Sequence, residues 1–265
     1  MVQHTSIFRR LARRAVSPFS GAAFTRADLI SLVSASDSAL EIGPFTNPML
    51  VGRNVSYFDV LDKAHLVERA NSVGYPIVSP VDIDFVSPIG DLSTVTGTFD
   101  VIASSHCIEH QPDLVSHLQK VDQLLNPGGR YLLIIPDKRY CFDHFLLESS
   151  ASQALAAFHE RRKVHTLENI IEHRAMTTHN DALRHWRGDH GERRIDPHNL
   201  AIALSEFDAS DGGYIDVHAW QFTPSSFREL IIDLNGIGVC GLHIDAVHDT
   251  PFGSLEFCAI LTKFK

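Results

Sequence analysis

The chain has 265 residues, 44% hydrophobic and 21% charged, with 23 Lys and Arg against 32 Asp and Glu for a formal charge of -9. That suits one large globular domain or a core domain with an insertion, and it lacks the basic excess of a general phosphate-backbone binder, so nucleic acid is not an expected partner. No apolar run approaches the ~20 residues that cross a bilayer, no secretory h-region stands out, and Cys107, Cys141, Cys240 and Cys258 form no C-x-x-C spacing, all of which fits a reducing, cytoplasmic compartment.

The first stretch has helical periodicity. Ile7, Phe8, Leu11, Ala12 and Ala15 share one side and Arg9, Arg10, Arg13 and Arg14 the other. Such a short basic helix packs on its own domain, serves as a transit peptide, or touches an anionic membrane or a biosynthetic complex through residues 1–20. Ala39 to Ile42 then forms a short apolar strand running into Gly43-Pro44. "VSYFDVLD" reads as a second strand, "KAHLVERANSVG" as a helix stopped at Gly74, and "YPIVSPVDIDFV" as a third strand. "TFDVIASS" is a nearly continuous apolar run, as in strands buried on both faces. "PDLVSHLQKVDQLLNPGG" follows as a helix with Pro112 in its first turn and Gly128 past its end, and "RYLLIIPD" is a fifth strand. Alternating strands and helices predict a parallel, doubly wound α/β sheet with its ligand beyond the carboxyl ends of the strands.

After Asp137 the chain turns polar and rich in His and Arg, with helix expected from Ser152 to Met176. This part reads as an inserted helical cap over residues 138–217. It separates core segments 35–137 and 218–265 and leaves 1–34 as a lead-in. "TPSSFRELIIDLNGIG" restores a regular helix, capped by Thr223 or Ser225. "VCGLHIDAVHD" and "SLEFCAILTKF" close the chain as an antiparallel strand pair.

The functional candidates sit at strand ends. Gly43 lets a ligand approach the backbone closely. Asp59, or Asp62 if that strand runs longer, can accept both hydroxyls of a ribose. Asp84 and Phe85 offer an acceptor for an exocyclic amine and an apolar face for a purine. "ALEIGPFTNP", "YFD", "DIDFV", "FDVIASSHCIEH" and "LLNPGGRYLLIIPD" together resemble class I S-adenosylmethionine-dependent methyltransferases. The resemblance implies a seven-stranded Rossmann-like sheet and S-adenosylmethionine as cofactor. It places Glu41 near the methionine part, Asp59 on the ribose, Asp84 and Phe85 around the adenine, and the backbone of Ser104 on the cofactor. The first loop keeps only Gly43 of the usual glycines and puts Pro44 and Asn47 among the cofactor contacts. "EIGP...NP" with "IPDKR...FDH" is similar to a subgroup associated with bacterial surface-polysaccharide pathways.

His106-Cys107-Ile108-Glu109-His110 also matches H-x-x-E-H, a zinc-peptidase pattern. It follows an extended run rather than lying on one helix, so the expectation is no metal. His106 then faces the reacting methyl as base or positioning group, with Asp137 and His218 as further catalytic candidates. The expected reaction is in-line methyl transfer to an oxygen, or a nitrogen, of a small molecule or glycan terminus. Two alternatives keep the fold: a nicotinamide-dinucleotide oxidoreductase, against which the first loop lacks G-x-G-x-x-G, and a catalytically inactive binding module.

Overall fold

The computed structural model describes residues 23–264. The basic helix expected within residues 1–20 lies outside them. In chain order the elements are α1 (Arg26–Ser31), β1 (Ala39–Ile42), β2 (Val55–Asp59), α2 (Lys63–Val73), β3 (Phe85–Val86), β4 (Phe99–Ser105), α3 (Leu114–Leu124), β5 (Leu125–Pro136), α4 (Ala151–Glu160), α5 (Leu167–Ala175), α6 (Ala182–Trp186), α7 (Pro197–Ser210), α8 (Pro224–Gly236), β6 (Leu242–Val247) and β7 (Glu256–Lys263). The strands form one sheet of seven in the order β3-β2-β1-β4-β5-β7-β6. Strands β1 to β5 pair in parallel, whereas β7 runs antiparallel to both β5 and β6. The doubly wound sheet and its terminal antiparallel pair are therefore as the sequence predicts.

Alternation along each central strand fills two apolar layers. Leu40, Ile42, Ile102, Leu133 and Phe257 face α3 and α8, meeting Leu118, Phe227 and Leu230. Ala39, Val101, Ala103, Leu132 and Ile134 face the other way, against Leu29 of α1. Each large aliphatic side chain so buried contributes roughly 1.5–3 kcal/mol. No helix among the described residues is long and apolar enough to cross a membrane.

Local chemistry sets the element ends, with three departures from expectation. Asp62 caps α2 by accepting from the His65 N–H, and Gly74 ends that helix at φ 68°. Helix α3 starts one step later than expected, because Asp113 is its cap, accepting from the Ser116 N–H, and Pro112 stands before the cap. Strand β3 has only two residues, so Asp84 precedes it instead of ending it. The helix expected over Ser152 to Met176 is two helices, broken where Arg161 turns left-handed at φ 53°.

Within residues 138–217, α4 packs Ala154 and Ala157 into the main core. Helices α5 and α7 instead share a small core of their own, Ile170 and Ala203 with Ile215 and Val217. Trp186 on α6 donates its indole N–H to the Ser254 carbonyl at 2.8 Å, tying the insertion to the β6–β7 loop.

Glu41 holds the loop after β1. Only 2% exposed, its carboxylate accepts the N–H groups of Met49 at 2.7 Å and Leu50 at 2.8 Å. Burial pushes this carboxyl from 4.5 up to about 7, against those two N–H groups, which favour the charge. The folded state thus keeps a proton that the unfolded chain has released. Stability from this group is full below about 4.5 and is lost as pH rises through about 7, a span worth about 3 kcal/mol. Wild type is expected to lose melting temperature relative to Glu41→Gln between about pH 5 and pH 8; a gap independent of pH in paired thermal melts means the carboxyl is ionised throughout. Thr223 and Ser226 form a capping box at the start of α8. Thr223→Ala should cost about 1 kcal/mol, seen as a melting temperature lower by about 2–4 °C.

Candidate active site

In this strand order the chain reverses direction across the sheet between β1 and β4, where such folds open a crevice. Gly43 leaves β1 there at φ 70°, with its N–H bonded to the Phe58 carbonyl at 2.8 Å. A Cβ at this position would stand 2.3 Å from Cys107 Sγ, so the glycine answers a protein contact as well as a backbone angle. Pro44 to Asn47 is a tight turn, closed by the Asn47 N–H on the Pro44 carbonyl at 3.0 Å, and Phe45 within it has φ 48°.

Asp59 ends β2 and is 7% exposed. Its carboxylate accepts the N–H groups of Phe45 at 3.2 Å and Val60 at 2.7 Å. Burial pushes it from 3.8 up to about 6, with those two N–H groups opposing. No side-chain donor among the described residues reaches it, so each oxygen keeps accepting capacity.

Asp84 and Phe85 are placed differently from expectation. Asp84 accepts the Tyr57 N–H of β2 at 2.8 Å, ahead of β3, and Phe85 packs against the main core. At the true exit of β3, Ser87 and Ser93 both donate to Asp91 at 2.7 Å. Asp91 lines a cavity of about 490 Å³ with Gln111, Lys120, Arg161 and Lys163. Its sequence signal, a glycine and an acid soon after a strand, is "GD" at Gly90-Asp91. Ser104 lies mid-sheet, opposite Ile42. Its hydroxyl is 2.8 Å from that of Tyr131, which in turn lies 3.0 Å from His117 Nε2.

His106 leaves β4 in the left-handed region, φ 53°, an unusual backbone for a residue with a side chain. Its Nε2 is 2.8 Å from Glu256 Oε2, and Arg26 grips both oxygens of the same carboxylate. Burial opposes the charge on Glu256, yet the hydrogen bonds from His106 and Arg26 bring it down to about 2. Glu256 is therefore ionised and accepts the Nε2 proton, and Nδ1 of His106 turns toward Glu109.

Beside it, Ile108–His110 is a single 3-10 turn. Glu109 is fully buried, and neither of its side-chain oxygens has a hydrogen-bond partner. Three imidazoles surround it: His106 Nδ1 at 3.7 Å, His110 Nε2 at 3.9 Å and His218 Nε2 at 3.9 Å from Oε1. His218 is braced by Asp143 at 2.6 Å on Nδ1. His110 Nδ1 lies 2.9 Å from Asp216 Oδ1, a contact bent away from a straight hydrogen bond. Burial pushes the Asp143 carboxyl up to about 7 and the His218 imidazole down to about 3, so the ring is neutral near pH 7 while the carboxyl stands at its midpoint.

Asp137, by contrast, has both oxygens committed. It receives Arg139 Nε at 3.0 Å and Nη2 at 2.6 Å, and the Thr250 hydroxyl at 2.6 Å. The structure thus brings together His106 and His218 among the expected catalytic residues and leaves Asp137 in a separate ion pair. Glu109, Asp143, Asp216 and Glu256 were not foreseen as site residues. The run His106 to His110 was the one sequence signal for Glu109, and "FDH" at Phe142 to His144 the one for Asp143.

The pattern of a family described as a methyltransferase domain matches residues 10–208. A ubiquinone biosynthesis O-methyltransferase from Thiobacillus denitrificans is 35% identical over 85 residues; the match takes in 30% of this chain and spans only 33% of that relative. Solved structures of similar fold include a Listeria monocytogenes protein assigned as an S-adenosylmethionine-dependent methyltransferase, 10% identical over 90% of this chain and 97% of that one, TM-score 0.48. Another is the 1,6-didemethyltoxoflavin-N1-methyltransferase of Burkholderia thailandensis, 14% identical over 91% of this chain and 76% of that one, TM-score 0.46. Because the methyltransferase-domain pattern takes in residues 10–208, most of the sequence, the protein belongs to this methyltransferase-domain family.

Proposed function

We propose that the protein moves the methyl group of S-adenosylmethionine to a hydroxyl of a small molecule or glycan terminus. The observation that carries this reading is Asp59, a buried carboxylate at the exit of β2 whose two oxygens each accept one backbone N–H and retain room for another donor. A ribose diol supplies two such donors, and the Gly43 turn beside it admits a ligand close to the backbone. These residues fit the nucleoside end of the cofactor. The sulfonium, when bound, supplies an activated methyl together with its leaving group.

The chain's own contribution is alignment and proton transfer. We assign proton acceptance from the hydroxyl to His106 at the end of β4, a reading supported by the Nε2 bond to Glu256, which orients the ring. His110 and His218 stand beside the same Glu109 carboxylate, one on the turn and the other just before α8. Oxygen as the acceptor atom is supported by the named activity of the Thiobacillus denitrificans relative, and a glycan terminus by the resemblance of "IPDKR...FDH" to enzymes of surface-polysaccharide pathways.

Titration calorimetry tests the cofactor. Wild type should bind S-adenosylmethionine and S-adenosylhomocysteine, and Asp59→Asn should bind each at least about tenfold more weakly, the equivalent of about 1.4 kcal/mol. Folded wild type that binds neither rejects the proposal. In assays of labelled methyl transfer to hydroxylated acceptors, including hexose-terminated oligosaccharides, His106→Ala should lower the rate by roughly 10²–10⁴ while cofactor affinity holds. An unchanged rate removes His106 as the base.

A further inference from the structure

We infer that Glu109, His110 and His218 form a binding site for a divalent first-row transition cation, with zinc and manganese the best matches to the ligand set. Glu109 carries the argument. It is fully buried, and both carboxylate oxygens lack a hydrogen-bond partner. A carboxylate withdrawn from water with nothing to replace its hydration is strongly disfavoured, and folds keep such groups when a cation meets them. Among the described residues no lysine or arginine pairs with Glu109; its neighbours are the rings of His106, His110 and His218.

Two of those rings are already presented as ligands. One donor atom each from Glu109, His110 and His218 lies within 4.8 Å of the others. His218 Nε2 and His110 Nε2 are each 3.9 Å from Glu109 Oε1. Ligand bonds of about 2.0–2.2 Å place neighbouring ligand atoms about 3–3.5 Å apart, so each histidine needs to close on Glu109 by less than about 1 Å, and the two histidines on each other by less than about 2 Å. Behind His218 stands Asp143, bonded to Nδ1 at 2.6 Å, which turns Nε2 inward and raises its basicity, as outer carboxylates do for metal-bound histidines; Asp216 lies 2.9 Å from Nδ1 of His110 without a straight hydrogen bond. Two imidazoles with one carboxylate and no thiolate suit zinc, manganese or iron(II) better than calcium. The H-x-x-E-H run thus contributes ligands, but with His218 arriving from the far end of the insertion in place of a second histidine on one helix. Three protein ligands leave a coordination position for an oxygen. If the proposed methyl transfer holds, that oxygen is the acceptor hydroxyl; the cation site itself does not depend on that reading.

The test uses full-length protein purified without a histidine tag and dialysed against chelator. Calorimetric titration with zinc chloride and with manganese chloride, backed by elemental analysis, should give about one ion per chain for at least one of the two metals. Glu109→Gln and His218→Ala should weaken binding by at least about 100-fold. His190→Ala, in the separate cluster of His144, His185 and His190, should leave it intact. Should either ligand variant fail to fold, Asp143→Asn keeps the ligands and should still weaken binding by about 10–100-fold. Folded wild type that takes up neither ion at about 100 μM, or binding undiminished in Glu109→Gln and Asp143→Asn, overturns the site. Titrating the same samples with S-adenosylmethionine separates the two proposals: cation without cofactor rejects the methyl transfer and keeps this site, and cofactor without cation does the reverse.

Discussion

Parallel pairing of β1 with β4 in the middle of the sheet governs everything at the active end of the molecule. It sets Ile42 beside Ser104, so the chain leaves both strands at the same level. The two exits then compete for the same space, and the competition is resolved by a missing side chain. Gly43 has no Cβ to collide with Cys107, whose thiol donates to the Ile42 and Ser105 carbonyls at 3.3 Å. Only with that close approach can the turn after β1 and the histidine-bearing turn after β4 border one crevice.

Three buried carboxylates around that crevice show how one residue type takes different tasks from its surroundings. Glu41 spends both oxygens on backbone N–H groups and works as a staple for the loop it follows. Asp59 likewise accepts one N–H on each oxygen, from Phe45 in the turn after β1 and from Val60. Glu109 has none of it satisfied by the protein. Since a buried acceptor gains little when paired and costs much when left alone, Glu109 stands apart from the two carboxylates that the backbone satisfies.

Much of this was legible in the sequence where local chemistry decides. Apolar runs marked β1, ending in glycine, β2, ending in an acid, and the nearly continuous β4, while Thr223 or Ser225 marked the start of α8, and Thr223 is the cap. Legibility failed where the deciding partner is distant or the signal short. A two-residue edge strand has no alternation to read, so Asp84 was assigned to the wrong end of β3. The break after α4 falls at Arg161, a left-handed position without the usual glycine. The setting of Glu109 depends on Asp216 and His218, more than 100 residues further along, which no local pattern could join to it.

Glu256 gives the order of events in folding a particular meaning. It lies on β7 yet holds His106, 150 residues earlier, and Arg26, 230 residues earlier. A ribosome-bound chain can complete the parallel strands and the Gly43 turn before β7 has emerged. Until then His106 lacks the anion that sets its tautomer, and the Ser254 carbonyl that receives Trp186 of the insertion is also missing. A chain whose parallel strands form before β7 therefore holds His106 without its Glu256 partner, and the C-terminal hairpin completes that contact.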